Sequence, residues 1–286
     1  MISVRTIADA RRHLAEARRQ GRTVGLVPTM GALHAGHGAL LDRARRESDF
    51  VAVSIFVNPT QFDRREDYEA YAVNLDADLA FCAAHGADLV FAPSAAEMYP
   101  SPPLTHVEVA GVSESLCGPF RPGHFRGVAT VVAKLFHIVA PDKAWFGEKD
   151  AQQLAVIRRM VADLNLPVEI VPVPTVREAD GLALSSRNQR LTPAERKAAA
   201  ILYRALDLAR RRSAEGCRGA SEIRQAALDT LAREPLARVE YLEVVDAANM
   251  TPVDAISSPA RLAAAVWFGS TRLIDNVALE PELHAR

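Results

Sequence analysis

Residues 24–41 read V-G-L-V-P-T-M-G-A-L-H-A-G-H-G-A-L-L. The apolar run at 24–27 predicts a short buried strand, and Pro28 is expected to end its pairing because proline has no main-chain N–H to donate. The glycines that follow allow the backbone to turn sharply and to approach a ligand closely. From about Gly36 the apolar residues recur at helical spacing. The stretch therefore predicts a strand, a glycine-rich turn and a helix in direct succession.

Two histidines, His34 and His37, lie in the predicted turn. A helix N-terminus after a strand and a glycine-rich turn is typical of phosphate-binding sites, because its free N–H groups and the helix dipole both favour an anion. Imidazoles at this position can donate hydrogen bonds to phosphate oxygens at neutral pH. In the alternative interpretation, one histidine caps the helix and the other is a solvated loop residue. Two histidines three residues apart and flanked by glycines favour the phosphate site.

Composition bounds the class of protein. The chain has 286 residues, of which 49% are hydrophobic, enough for one large domain or two ordinary ones. Its net charge of −1 indicates no field that would attract nucleic acid. The three cysteines are far apart and include no C-x-x-C pair, which argues for a reducing compartment and against a disulfide framework or a zinc site. Neither a signal peptide nor an apolar run of membrane-spanning length is evident. We therefore expect a soluble cytoplasmic protein with neither nucleic acid nor membrane as a partner.

The order of the predicted elements indicates two domains of different class. Residues 50–57 are nearly all apolar and rich in β-branched side chains, as in a parallel strand covered on both faces. Strands alternate with helices up to a strand at 168–173, which predicts an α/β domain with a doubly wound parallel sheet. After Pro193, two helices rich in Ala, Arg and Leu precede three strands, which predicts a smaller α+β domain. We expect these domains to comprise residues 1–175 and 176–286.

Two amide side chains, Asn58 and Gln61, follow the predicted strand at 50–57. In an open parallel sheet, ligands collect outside the carboxyl ends of the strands, so both amides are placed to hydrogen-bond a substrate. The Asn58-Pro59 dipeptide is also typical of a simple turn. Gln61 has no role in such a turn and is therefore the stronger candidate.

A second junction between a strand and a helix carries a cation. The apolar segment 144–146 runs into Gly147-Glu148-Lys149-Asp150, and apolar residues at helical spacing follow. Lys149 is a compact point charge suited to phosphate. Asp150 is suited to accept hydrogen bonds from ribose hydroxyls, the usual role of an acid in such folds. Alternatively, these charged residues simply begin a helix.

Two polar loops offer further donors. The loop at 118–127 contains Arg121, His124 and Arg126, which would hold a carboxylate or phosphates, or would equally make ordinary loop salt bridges. The loop at 175–188 contains serines and an arginine that can bind phosphate oxygens, the arginine with two parallel hydrogen bonds. Its polar residues would alternatively cap the next helix, although Thr192-Pro193 is a better cap.

Several strings of this sequence resemble one family. His34-Ala35-Gly36-His37 resembles the HxGH signature of nucleotidyltransferases and class I aminoacyl-tRNA synthetases, and the longer string 28–37 resembles the pantothenate synthetase (pantoate–β-alanine ligase) family. Four further strings match the pattern of that family in order, namely FVNPTQF at 56–62, RPGHFRGV at 121–128, FGEKDAQQL at 146–154 and VREADGLALSSRN at 176–188. The resemblance covers nearly the whole chain.

This resemblance implies a fold and an activity. It implies a Rossmann-like N-terminal domain that carries the site, a mobile C-terminal domain that acts as a lid, and a homodimer. It also implies the ATP-dependent joining of (R)-pantoate to β-alanine through pantoyl adenylate, with release of pyrophosphate and AMP. Mg²⁺ would be bound mainly through phosphate oxygens, so no protein metal-binding motif is expected.

The resemblance also assigns residues. ATP would be bound by Met30, Gly31, Ala32, Leu33, His34, Ala35, Gly36, His37, Gly147, Glu148, Lys149, Asp150, Val176, Leu184, Ser185, Ser186 and Arg187. Gln61 and Gln153 would hold pantoate, and Gln61 would also lie near β-alanine. His34, His37, Lys149 and Arg187 would stabilise charge on the phosphates, with His37 as the proton donor. We therefore expect both histidines and Lys149 to converge on one triphosphate.

One departure and two alternatives accompany this assignment. Many family members have Pro-Arg where this chain has Ala72-Val73, which puts any role of that arginine in doubt. A related alternative is an adenylyltransferase that moves AMP onto a phosphate-bearing acceptor. An alternative of a different class is a regulatory module that binds a nucleotide without turnover. The two glutamines beside cationic phosphate contacts favour an enzyme.

Overall fold

The computed structural model describes residues 1–63, 65–69, 71 and 74–280. By its internal contacts the chain divides into two compact units. The first unit comprises Met1–Val109, Arg121–Glu148 and Val156–Pro174, and the second comprises Ala110–Phe120, Lys149–Ala155 and Thr175–Arg286. Ala72 and Val73, where the sequence departs from the family pattern, lie outside the described residues.

The first unit is built on a six-stranded parallel sheet. Its strands are β1 (Ile2–Val4), β2 (Val24–Thr29), β3 (Phe50–Ile55), β4 (Leu89–Phe91), β5 (Lys143–Gly147) and β6 (Glu169–Val173). Their order is β1-β4-β3-β2-β5-β6, so the chain builds outwards from β2 in both directions. This reversal of strand order is the topological switch point at which ligands bind in such sheets. The predicted doubly wound α/β architecture is confirmed.

Helices connect these strands. They are α1 (Ile7–Arg19), α2 (Ala35–Glu47), α3 (Arg65–Glu69), α4 (Leu75–Ala84), α5 (Ala95–Met98), α6 (His124–Val139) and α7 (Ala151–Asp163). Short 3-10 helices lie at Pro59–Gln61, Glu148–Asp150 and Ser186–Arg190. Most side chains of α6 are buried, as its apolar character on all sides predicts.

β2, the strand before the glycine-rich turn, is longer than expected. It continues through Pro28, which pairs with Ser54 of β3, so the prediction that Pro28 ends the pairing is wrong. Successive residues of a parallel strand direct their main-chain N–H and C=O groups to opposite neighbouring strands. The main-chain oxygen of Thr29 accepts from the N–H of Phe56 and therefore points towards β3. Pro28 therefore directs its nitrogen towards β5, where the pairing of β2 ends at Leu26. The missing N–H removes no bond from the ladder between β2 and β3.

The second unit has the predicted α+β composition. Helices α8 (Pro193–Ala214) and α9 (Ala220–Leu231) precede β7 (Ala237–Asp246), β8 (Ala260–Phe268) and β9 (Thr271–Leu279), which form an antiparallel sheet in the order β7-β8-β9. Thr192 caps α8 in a reciprocal capping box with Glu195, as the Thr-Pro pattern predicts. Across the part of the chain that the structure describes, no helix combines the length and apolar character needed to cross a membrane.

Two segments before residue 175 belong to the second unit. The amide of buried Gln152 joins them. Its Nε2 donates to the main-chain oxygens of Val112 (3.0 Å) and Ser115 (2.7 Å), and its Oε1 accepts from the N–H of Cys117 at 3.0 Å. Because these hydrogen bonds join residues 35 to 40 positions apart, no periodic pattern in the sequence predicts them. The division into domains of 1–175 and 176–286 stays a prediction.

Candidate active site

The turn between β2 and α2 has an unusual backbone. Gly31 and Ala32 both adopt positive φ, at 85° and 52°, and only glycine adopts this conformation without strain. The carboxylate of buried Asp78, on α4, accepts from the N–H groups of Ala32 and Leu33. A carboxylate distant in sequence thus holds the strained turn in place. The sequence does not mark Asp78 for this role, because an acid in the first turn of a helix ordinarily interacts only with the helix dipole.

Both histidines of the turn cap α2. The Nδ1 of His34 accepts from the N–H of Gly36 at 3.1 Å, and the Nδ1 of His37 accepts from the N–H of His34 at 3.2 Å. Their ring centroids are 4.2 Å apart. The alternative interpretation expected one histidine to cap the helix; in the structure both do so, in a reciprocal capping box.

These two hydrogen bonds determine the tautomer of each neutral ring. A ring nitrogen that accepts a hydrogen bond carries no proton, so we infer that His34 and His37 carry theirs on Nε2. Each Nε2–H is then a donor at the N-terminus of α2, where the helix dipole favours an anion. Capping uses Nδ1 of both rings, so the predicted phosphate contacts would use Nε2.

Asn58 and Gln61 are both buried and form a directed chain of hydrogen bonds. The Oδ1 of Asn58 accepts from the hydroxyls of Tyr99 at 2.9 Å and Thr60 at 3.0 Å. These donors fix the orientation of the amide. Its Nδ2 therefore donates to Gln61 Oε1 and to the main-chain oxygen of Gly127, both at 3.2 Å. These internal contacts favour a role for Asn58 in orienting Gln61, and its direct contact with substrate stays a prediction.

Gln61 presents the donor end of its amide. Its oxygen is occupied by Asn58, and its Nε2 contacts the sulfur of Met30 at 3.0 Å. This contact joins the 3-10 helix that carries Gln61 to the turn that carries the histidines. Gln61 is therefore suited to bind an oxygen acceptor, such as a carboxylate or a hydroxyl.

The loop that begins α6 supports Gln61 from its main chain. His124 Nδ1 lies 2.8 Å from the carbonyl oxygen of Gln61, and an Nη2 of Arg121 donates to the same oxygen at 3.2 Å. Arg121 also contacts Asp63 at 3.4 Å. Of the two roles left open for this loop, these contacts favour structural support. Arg126 is exposed.

The second unit contains the predicted cation. Lys149 lies in the 3-10 helix Glu148–Asp150, and its side chain is 19% exposed. Its Nζ is 3.9 Å from a carboxylate oxygen of Asp150, at the limit of an ion pair. Asp150 thus contacts the cation, and its expected bond to ribose stays a prediction. Gly147 ends β5, and Gln153 lies half-buried in the first turn of α7.

The loop at 175–188 is a hairpin followed by a short helix. The N–H of Leu184 donates to the oxygen of Val176 at 2.9 Å, so these two predicted ATP contacts lie side by side. Ser185 caps the 3-10 helix Ser186–Arg190 by accepting from the N–H of Arg187 at 3.3 Å. Lys149, Ser185 and Arg187 line one small cavity. The structure therefore brings together cationic residues that are 38 positions apart in sequence.

The predicted site residues thus form two groups. The first unit joins the turn at 30–37 to Asn58 and Gln61, and the second joins Lys149 to the loop at 185–187. The convergence of His37 and Lys149 on one triphosphate stays a prediction.

A family model described as pantoate-beta-alanine ligase matches residues 2–278. The chain belongs to the pantoate–β-alanine ligase family. The pantothenate synthetase of Moorella thermoacetica is 52% identical over 277 residues, which cover 97% of this chain and 98% of the relative. That of Heliobacterium modesticaldum is 54% identical over 265 residues, with 93% and 94% covered.

Solved structures of pantoate–β-alanine ligases share the fold. The pantothenate synthetase of Thermus thermophilus superposes with a TM-score of 0.93 at 48% identity, covering 98% of this chain and all of the other. The ligase of Francisella tularensis, solved in complex with beta-gamma ATP and beta-alanine, gives a TM-score of 0.80 at 34% identity, with 97% of each chain covered. The expected family and fold class are confirmed.

Proposed function

We propose that this chain condenses (R)-pantoate with β-alanine at the expense of ATP, releasing pyrophosphate and AMP. Membership of the pantoate–β-alanine ligase family supports this reaction, and the Francisella tularensis relative binds an ATP compound together with beta-alanine. The observation that carries the site assignment is the double histidine cap, in which the Nδ1 atoms of both rings accept main-chain N–H groups at the N-terminus of α2.

The reaction proceeds in two transfers. A carboxylate oxygen of pantoate attacks the α-phosphorus of ATP, the bond from that phosphorus to the bridging oxygen breaks, and pyrophosphate leaves. The amine of β-alanine then attacks the acyl carbon of pantoyl adenylate, the carbon–oxygen bond to the phosphate breaks, and AMP leaves while the nitrogen loses a proton. Because ATP supplies the leaving group, no protein nucleophile takes part.

The protein contributes position and charge stabilisation. His34 and His37 donate hydrogen bonds to the phosphates, Lys149 and Arg187 neutralise the triphosphate, and His37 in its protonated form is the proton donor that the family resemblance implies. The remaining ATP contacts are the main chain and side chains of the expected segments, namely 30–37, 147–150, Val176, Leu184 and 185–187. Gln61 and Gln153 hold pantoate, and Gln61 offers a donor to one of its oxygens.

Mg²⁺ accompanies the nucleotide in this proposal. Within the described ranges, no group of three or more His, Cys, Asp or Glu side chains is arranged to hold a metal ion. In the proposed site the ion would be bound mainly through phosphate oxygens, as Mg²⁺ usually is in nucleotide sites. The ion would neutralise charge on the phosphates. We further propose a homodimer located in the cytoplasm, as the family resemblance implies.

One assay tests the function. Purified protein is incubated with ATP, labelled pyrophosphate and pantoate, and exchange of label into ATP is measured. We expect exchange of label that depends on pantoate. When a panel of amines is then screened, we expect β-alanine to accelerate the release of AMP. An adenylyltransferase would make an adenylylated product without any amine. A regulatory module would bind ATP without exchange, which would overturn the proposal.

A further inference from the structure

Strand β9 carries two adjacent buried polar residues, Asp275 and Asn276, that the proposed reaction does not use. Their partners across the sheet in β8 are Ala264 and Ala263, which offer no polar side chain. Burying polar groups costs free energy unless they are hydrogen-bonded. Their contacts therefore indicate what they do.

Asp275 binds the hairpin that leads to the loop at 185–187. Its two carboxylate oxygens accept from Arg177 at 2.6 and 3.0 Å. Burial raises the pKa of Asp275, and the hydrogen-bonded guanidinium of Arg177 opposes that rise. Arg177 also donates to the oxygen of Gly181 at 3.1 Å, and it lies 4.1 Å from the ring centroid of Tyr203. Arg177 thus fastens the hairpin to β9.

Asn276 binds the other cationic element. Its Oδ1 accepts from Arg261 at 2.6 Å, and because arginine has only donors, this bond fixes which end of the amide is oxygen. The Nδ2 therefore faces the opposite side, where it donates to the main-chain oxygen of Lys149 at 3.0 Å. The contact spans 127 residues and holds the 3-10 helix that carries the lysine.

We propose that Asn276 is a positioning residue for Lys149, and that with Asp275 it forms a common anchor for the two cationic elements of the site. The ammonium of Lys149 sits on a flexible four-carbon stem, so the region that it can reach is set by the position at which its main chain is held. Neighbouring residues of one strand hold that main chain and the hairpin before Arg187, which keeps both cations at a constant separation in the cavity they share. The inference rests on the proposed function only in assigning Lys149 to a phosphate.

The test is a double-mutant cycle with two measurements, ATP affinity by calorimetry and the rate of pantoate-dependent pyrophosphate exchange. We expect Asn276→Ala to lower the exchange rate by roughly ten- to a hundredfold, the order expected for a misplaced catalytic group. In the Lys149→Ala background the same change should cost less than about twofold, because residues that act through one another are not additive. Asn249→Ala, at an exposed turn of the same unit, is the matched control and should leave both measurements unchanged.

A purely structural role for Asn276 predicts a different result. Its loss would then lower activity by the same factor with and without Lys149, and additive factors would overturn the inference, as would an unchanged Asn276→Ala enzyme. Asn276→Asp covers the case in which the alanine variant does not fold. Its carboxylate keeps the shape and the acceptor for Arg261 but cannot donate to Lys149, so it should show the same non-additivity.

Calorimetry separates this inference from the proposed function. If the unmodified protein binds ATP but exchanges no label with pantoate, the proposed reaction fails. The cycle measured on ATP affinity alone then still decides whether Asn276 acts through Lys149. Weaker ATP binding by Asn276→Ala that disappears in the Lys149→Ala background supports the inference, and equal weakening in both backgrounds overturns it.

Discussion

The carboxylate of Asp78 accepts a hydrogen bond from the main-chain N–H of Leu33 at 2.8 Å and thereby fixes the turn that leads into the double histidine cap. Its second oxygen accepts from the neighbouring N–H of Ala32 at 3.0 Å. Ala32 has a positive φ of 52°, a conformation that costs on the order of 1 to 3 kcal/mol for a non-glycine residue and needs support from its surroundings. A buried acid on α4 supplies that support.

Asp78→Asn should therefore impair adenylation. The amide has a single oxygen acceptor, so its NH₂ group would face one of the two N–H donors and the turn would shift. We expect the rate of pantoate-dependent pyrophosphate exchange to fall roughly tenfold or more, in line with a displacement of the reacting groups. Asp76→Asn, an exposed acid on the same helix, is the control and should leave that rate unchanged. Equal rates for Asp78→Asn and the unmodified enzyme would show that the turn holds its shape alone.

Tyr99→Phe tests the chain of amides. The hydroxyl of Tyr99 donates to Asn58, and burial raises the pKa of Tyr99 above 10.0, so the hydroxyl remains protonated at neutral pH. Without this donor, Asn58 and Gln61 are less firmly oriented. We expect the KM for pantoate to rise several-fold while the KM for ATP is unchanged, because loss of one net hydrogen bond costs about 1 kcal/mol.

Tyr203→Phe is the matched control for this change, since it keeps the ring that stacks on Arg177 in the second unit. Steady-state kinetics with each substrate varied in turn make the comparison. An equal rise in both KM values for Tyr99→Phe would contradict the assignment of the amide chain to pantoate.

Local patterns predict much of this fold because each depends on neighbouring residues. The apolar run before the turn, the helical spacing after it and the Thr-Pro cap of α8 are all local signals, and the structure contains all three elements. The HxGH motif likewise identifies the histidine turn from four consecutive residues.

The supporting contacts lack such a signal. Asp78 lies 45 residues from Leu33, and Asn276 lies 127 residues from Lys149. A polar side chain in a helix or strand shows no local trace of the distant main-chain atom that it binds. The hydrogen bonds of Gln152, which span 35 to 40 residues, have no local signal for the same reason.

His37→Ala and Lys149→Ala test the proposed phosphate contacts directly. Each removes one donor from the phosphates in the proposed site. We expect the adenylation rate to fall by roughly a hundredfold or more, as when one preorganised donor is lost elsewhere. His137→Ala, an exposed histidine of α6, is the control for His37. Near-normal pyrophosphate exchange by purified His37→Ala would refute its assigned role.

Gly127→Ala tests how closely α6 approaches the loop that carries Gln61. A methyl group at Gly127 would lie 2.3 Å from the main-chain oxygen of Thr60 and 2.7 Å from the Cα of Gln61. We expect the free energy of unfolding to fall by about 1 to 3 kcal/mol, the usual cost of overpacking, and the KM for pantoate to rise as Gln61 moves. Urea denaturation measures the first quantity. Gly219→Ala, whose nearest contact is 3.5 Å, is the control, and a similar loss in both variants would contradict this explanation.

The ion pairs between the hairpin and α8 predict how stability depends on acid. Arg196 binds Asp180 and Glu178, each at 2.6 Å, and its hydrogen bond holds the pKa of Asp180 below the ordinary 3.8. A carboxyl group whose pKa is lower in the folded state stabilises the fold above its unfolded pKa, and this contribution is lost as the pH falls through the folded pKa. The contribution of Asp180 should therefore be complete at neutral pH, should begin to fall near the unfolded pKa of 3.8, and should be lost as the pH passes through the lower folded pKa.

Asp180→Asn removes this titration. Because the side chain of Asp180 is 39% exposed, we expect the variant to lose no more than about 1 kcal/mol at neutral pH. At a pH below the folded pKa of Asp180, the two proteins should unfold at the same urea concentration, since the carboxyl group of the unmodified protein is then neutral as well. Urea denaturation across this pH range checks the prediction. A difference between the two proteins that persists in acid would contradict the prediction, because the amide keeps an oxygen acceptor for the N–H of Leu182 and only the charge of the carboxylate is lost.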